Sequence, residues 1–72
     1  PRLAFIVRDI HLAYRRLRDA GVVFRSEPVA ITEGRNRGGY TVYFLDPDGI
    51  TLELSQPPAQ FWEAPASPML RP

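Results

Sequence analysis

Apolar and polar positions change period along this chain, and each change marks an element. Residues 2–8, Arg-Leu-Ala-Phe-Ile-Val-Arg, are β-branched and aromatic with charged ends, which predicts a strand. Alternation puts Leu3, Phe5 and Val7 on one face and Arg2, Ala4, Ile6 and Arg8 on the other. From Ile10 the period lengthens. Ile10, Ala13, Tyr14, Leu17 and Ala20 recur at three- and four-residue steps, the stripe of an amphipathic helix. Asp9 precedes it as a natural N-cap, and Gly21 follows it as a natural C′ residue. Val22-Val-Phe-Arg25 begins a second strand, which Pro28 interrupts and residues 29–33 can continue. Proline lacks the donor a central strand needs, so this is an edge or bulged strand. Residues 34–39, Gly-Arg-Asn-Arg-Gly-Gly, read as a loop. Residues 39–56 then give two apolar strand-like runs joined by a sharp turn at Asp46-Pro47-Asp48-Gly49.

The predicted order is strand, helix and three strands, an α+β βαβββ module. Its four-stranded mixed sheet has the helix on one face, and its last two strands form a hairpin. Residues 1–56 make up that module. Residues 57–72 form a tail that holds five of the eight prolines and is expected to be neither regular helix nor strand. Phe61, Trp62, Met69 and Leu70 give the tail apolar groups, to pack on its own domain or to cover a partner subunit.

Size changes what this fold is expected to do. A chain of 72 residues buries only about 60% of its unfolded surface. With no cysteine there is no disulfide to compensate, and no zinc-knuckle pattern is present. Pairing with a second module is therefore expected. The chain opens at Pro1 inside a predicted strand, which suggests the C-terminal half of a longer domain. A net charge of +1 argues against a dedicated nucleic-acid binder. No run is long and apolar enough for a membrane span, and no signal peptide is evident, so the cytoplasm is the default location.

The candidate chemistry centres on Glu53, a carboxylate inside an otherwise apolar run. Alternation puts Ile50, Leu52 and Leu54 on one face and Thr51, Glu53 and Ser55 on the other. The helix stripe packs on the leucine face, so Glu53 belongs to the opposite one. There it is either a solvated glutamate on an open sheet or a metal ligand or acid/base group in a cavity. Tyr43 faces opposite to Tyr40 and Phe44; which set faces the cavity depends on whether the turn contains a bulge, and Tyr43, with its hydroxyl, is the better cavity candidate. Arg35 and Arg37 lie in the glycine-rich loop, either solvated or gripping an anionic ligand. The loop lacks the lysine and hydroxyl of a phosphate-binding loop. His11, the one histidine, falls on the first helical turn outside the apolar stripe and reads as a surface residue.

Three segments stand together in a recognisable order: Leu3-Ala-Phe-x-Val7 with Asp9, then Leu17-Arg-Asp-Ala-Gly-Val22, then Tyr43-Phe-Leu-Asp-Pro-Asp-Gly-Ile-Thr-Leu-Glu-Leu54. Over residues 2–57 the chain resembles one module of the vicinal oxygen chelate superfamily, the glyoxalase, bleomycin-resistance and extradiol dioxygenase group. The resemblance implies βαβββ units used in pairs, within one chain or between homodimer subunits, curved around a cavity that takes a small-molecule ligand. It also implies a divalent metal ion (iron, nickel, zinc, manganese or magnesium) that polarises substrate oxygens. Glu53 matches the family's carboxylate ligand on the last strand. Arg2 stands where the family usually has a His or Gln ligand on the first strand, and a guanidinium has no lone pair to donate. Two functions follow from the resemblance. One is a metal-dependent lyase, isomerase or dioxygenase with Glu53 as metal ligand and with Arg2, Tyr43, Arg35 and Arg37 toward the substrate. The other is a non-catalytic binding protein of the bleomycin-resistance type, with an Arg2–Glu53 ion pair and no metal.

Overall fold

The computed structural model describes residues 3–63. In chain order the elements are β1 (Leu3–Ile6), α1 (Ile10–Asp19), β2 (Val23–Phe24), β3 (Val29–Ala30), β4 (Tyr40–Leu45), β5 (Thr51–Gln56) and α2 (Ala59–Glu63). The strands make one mixed sheet in the order β1-β5-β4-β2, with β3 also paired to β4. β1 lies parallel to β5, and every other pairing is antiparallel. The α+β module expected from the sequence is therefore present, with one difference. The predicted single edge strand is divided into β2 and β3, which follow one another along the same side of β4. Six positions separate Val23 from Val29, while four separate their partners Leu45 and Thr41. The two extra residues fall in the segment holding Pro28, which has no N–H for a ladder bond. An even insertion keeps the alternation, so Val23 and Val29 share a face.

The hairpin of β4 and β5 is the backbone of the sheet. Its register runs unbroken from Tyr40↔Gln56 to Leu45↔Thr51, with no bulge. The turn is held by the Asp46 carboxylate, whose Oδ1 accepts from Asp48 N at 2.9 Å and Ile50 N at 2.7 Å. Gly49 completes it at φ +84°, a backbone that glycine adopts at no steric cost. Ile50 belongs to this turn and is exposed, so only Leu52 and Leu54 carry the apolar face toward the helix.

Helix α1 covers that face. Asp9 caps it as predicted, Oδ1 accepting from Leu12 N at 3.0 Å, and Gly21 follows at φ +100°. A second cap comes from the far end of the chain: Gln56 Oε1 on β5 accepts from Ile10 N at 2.8 Å. The core is Ile10, Val42, Phe44 and Leu54, with Ala13, Tyr14, Leu17, Phe24, Tyr40 and Leu52 packed against it. Tyr14, Phe24 and Phe44 form a chain of tilted rings 4.8 Å and 5.4 Å apart. His11 is exposed, as predicted, with its ring edge-on to Tyr40.

Part of the tail is helical where the sequence reading expects no regular structure. α2 is a single turn of five residues, started by Phe61 N donating to Pro58 O at 2.8 Å. It occupies the proline-free segment after Pro58, and proline is tolerated at a helix start because its missing donor would have no partner there. Trp62 stacks under the Arg8 guanidinium, 4.2 Å from ring centroid to Cζ, which ties α2 to the residues after β1. Met69 and Leu70, the other apolar groups of the tail, lie outside the described residues.

Candidate functional site

The register of the sheet assigns its two faces. Glu53 is opposite Tyr43 on β4 and Ala4 on β1. Alternation then puts Ala4, Ile6, Thr41, Tyr43, Leu45, Thr51, Glu53, Ser55, Val23 and Val29 on the face away from α1. None of the four core residues belongs to this set. It is an open face. Ile6 is 58% exposed, Val23 61% and Val29 53%, although all three are apolar.

At the centre of this face Glu53 is half-buried. Thr41 Oγ1 lies 2.8 Å from Glu53 Oε2 and donates to it across the strand pair. Threonine is stiff at χ1, so this hydrogen bond holds the carboxylate in one orientation. The only ion pair among the described residues joins Arg18 to Asp19, on the far side of the sheet. The Glu53 carboxylate therefore has no cationic partner among the described residues. Nor do they hold a cluster of three or more His, Cys, Asp or Glu that could bind a metal. Ala4, its register partner on β1, carries no donor atom. On this rung of the open face the described residues thus offer one carboxylate, Glu53.

The structure separates the other sequence candidates. Tyr43 lies on the same face as Glu53 and directly opposite it, while Phe44 packs in the core. The absence of a bulge decides between the two alternation sets, which the sequence leaves open. Arg35 and Arg37 are exposed in a loop closed by Ile31 N to Gly39 O and Gly38 N to Ile31 O. That loop folds against Gln56 and Pro58, three rungs along the hairpin from Glu53. Neither arginine hydrogen-bonds or ion-pairs with Glu53. Arg2, and with it the Arg2–Glu53 ion pair, lies outside the described residues.

Two residues on the open face escape the sequence reading. Thr41 is one. Arg25 is the other. Its backbone N donates to Tyr43 O at 3.0 Å, which continues the β2–β4 register by one rung. Its guanidinium Nη2 donates to Thr51 Oγ1 at 3.2 Å. The available signal was alternation: Phe24 is the core residue of that strand, so Arg25 takes the opposite face.

The comparisons with known proteins agree with this geometry. Residues 3–54 match the family model described as the Glyoxalase/Bleomycin resistance protein/Dioxygenase superfamily. The chain belongs to that superfamily. Its fold matches a solved member of the superfamily from Sphaerobacter thermophilus at TM-score 0.65 and 31% identity, over 78% of this chain and 43% of that one. It matches a glyoxalase/bleomycin resistance protein/dioxygenase from Nocardioides at TM-score 0.65 and 26% identity, over 81% of this chain and 38% of that one. The chain thus spans less than half the length of either solved relative. No curated protein matches it.

Proposed function

We propose that this superfamily chain supplies one half of a two-module site for a small oxygenated molecule, with Glu53 as its contribution to a divalent-metal centre. The observation that carries the reading is the Glu53 carboxylate itself. It is half-buried on an open face of mixed apolar and hydroxyl-bearing side chains, hydrogen-bonded by Thr41, and without a cation among the described residues. Removing a carboxylate from water is costly unless a cation compensates it, and hard divalent ions favour carboxylate oxygen. The remaining ligands come from a second module, in keeping with relatives more than twice as long as the matched part of this chain. Glu53 would hold such an ion from this chain's side, and the chemistry supplied would be Lewis-acid polarisation of substrate oxygens.

The chain's own residues have separate tasks in this reading. Glu53 supplies one anionic oxygen ligand. Thr41 fixes the carboxylate by the kind of outer hydrogen bond that orients metal ligands elsewhere. Tyr43, on the neighbouring strand, offers a hydroxyl to orient the bound molecule. The apolar side chains of Ile6, Val23 and Leu45 exclude water once the second module covers them. The reaction class is lyase, isomerase or dioxygenase.

A second reading has its own support in the sequence. Arg2 occupies the position of the family's usual first-strand ligand, which favours a metal-free binding protein of the bleomycin-resistance type with Arg2 compensating Glu53. Elemental analysis of the purified protein and of Glu53→Ala separates the two. Stoichiometric metal in the parent protein, lost in the variant, is the expected result. Metal-free protein in both forms, with ligand binding intact in the parent, overturns the metal reading in favour of the second.

A further inference from the structure

A rung of the sheet crosses the open face at the level of Glu53. It reads Arg25, one residue past β2, then Tyr43 on β4, Glu53 on β5 and Ala4 on β1. Arg25 and Glu53 are two strands apart, about 10 Å between backbones at ordinary strand spacing. They do not form an ion pair. The Arg25 guanidinium leans along the sheet to the neutral hydroxyl of Thr51, also a residue of the open face, at 3.2 Å. It has no carboxylate partner among the described residues. The bond to Thr51 uses one of the five N–H donors, and Arg25 is an exposed residue.

We infer that Arg25 is the specificity residue of this site, and that the molecule it selects carries an oxyanion, carboxylate or phosphate, on the side away from Glu53. This rests on the reading of the open face as a ligand site and deepens it by naming the charge of the ligand. The arrangement suits the task. A tethered guanidinium loses less rotamer freedom on binding than a free one, and its fork matches the two oxygens of a carboxylate or phosphate. Tyr43 lies between the two charges and gives the body of the ligand an aromatic side chain to rest on. The opposite charges on either side of Tyr43 fix which way round the molecule lies. A neutral molecule of the same shape lacks one of those contacts.

The test uses the whole chain in the oligomeric state it adopts in solution. Three probes are titrated by calorimetry: 4-hydroxybenzoate, phenyl phosphate and the neutral 4-hydroxybenzamide. The parent protein is expected to bind one or both anions about 10- to 100-fold more tightly than the amide, as charged hydrogen bonds typically give. Whichever anion is preferred identifies the group. In Arg25→Gln that preference disappears while amide affinity stays the same, and Arg25→Lys restores part of it. Thermal unfolding of Arg25→Gln at the parent temperature shows that the loss is one of recognition. Equal anion preference in the parent and Arg25→Gln overturns the assignment to Arg25. The ligand-site reading fails separately, if Glu53→Gln leaves all three affinities unchanged. Absence of binding of every probe to the parent protein overturns both.

Discussion

Gly39, just before β4, has no room for a side chain. A Cβ at this position would collide with the Gln56 carbonyl oxygen and crowd Pro58 N at 3.1 Å, both backbone atoms that cannot swing aside. Gly39→Ala is expected to destabilise the fold by about 1–3 kcal/mol through this overpacking, read as a lower midpoint in urea unfolding. Gln56 acts on the same end of the sheet through its side chain. Its Oε1 satisfies the N–H of Ile10, whose own side chain is fully buried, so water cannot readily replace it. Gln56→Ala is expected to cost about 1 kcal/mol, the usual value of a lost helix cap, with a matching fall in helical circular dichroism near the unfolding midpoint. Neither effect is visible in the sequence. The crowding of Gly39 and the reach of Gln56 depend on two segments meeting that are far apart in the chain. Glu53 was legible because it needed only local information, namely strand alternation around a conspicuous carboxylate. Arg25 offered the same alternation signal, but an arginine at the end of a short edge strand does not stand out by composition.

Among the elements, α1 was almost fully specified by the sequence, from its Asp9 cap through its stripe to Gly21. The hairpin was legible in its strands and turn, but the facing of Tyr43 was not. That depended on a bulge being present or absent, which periodicity cannot report. The edge strand was legible as an interruption at Pro28 and not as two separate strands, because the residue count across the break is set by tertiary pairing. The turn of the hairpin depends on one side chain. Asp46→Ala removes the acceptor for two backbone N–H groups and is expected to cost about 1–2 kcal/mol, measured by urea unfolding at constant m-value. The register of Tyr43 against Glu53 is then kept by the ladder alone, and amide exchange of Ile50 and Thr51 should quicken before that of Val42.

For the whole molecule, only four hydrophobic side chains among the described residues are buried in the core, while Leu3, Phe5, Ile6, Val23, Val29, Ile50 and Phe61 are all about half exposed or more. Such a core is small for a stable monomer. Analytical ultracentrifugation of this 72-residue chain is expected to show a dimer or larger species whose melting temperature rises with protein concentration. A concentration-independent monomer would contradict the paired-module reading.

The strand order has a consequence for how the protein is made. β5 is the last of the described strands in chain order, yet it lies between β1 and β4 and supplies the second cap of α1. Until β5 has been added, β1 has no neighbour in the sheet, and α1 lacks the Leu52 and Leu54 part of the face it buries against. Nascent chains stalled short of β5 should therefore be protease-sensitive along their whole length. Protection should appear in one step when β5 emerges, because the long-range pairing of β1 with β5 must close the largest loop in the domain before it returns any contact.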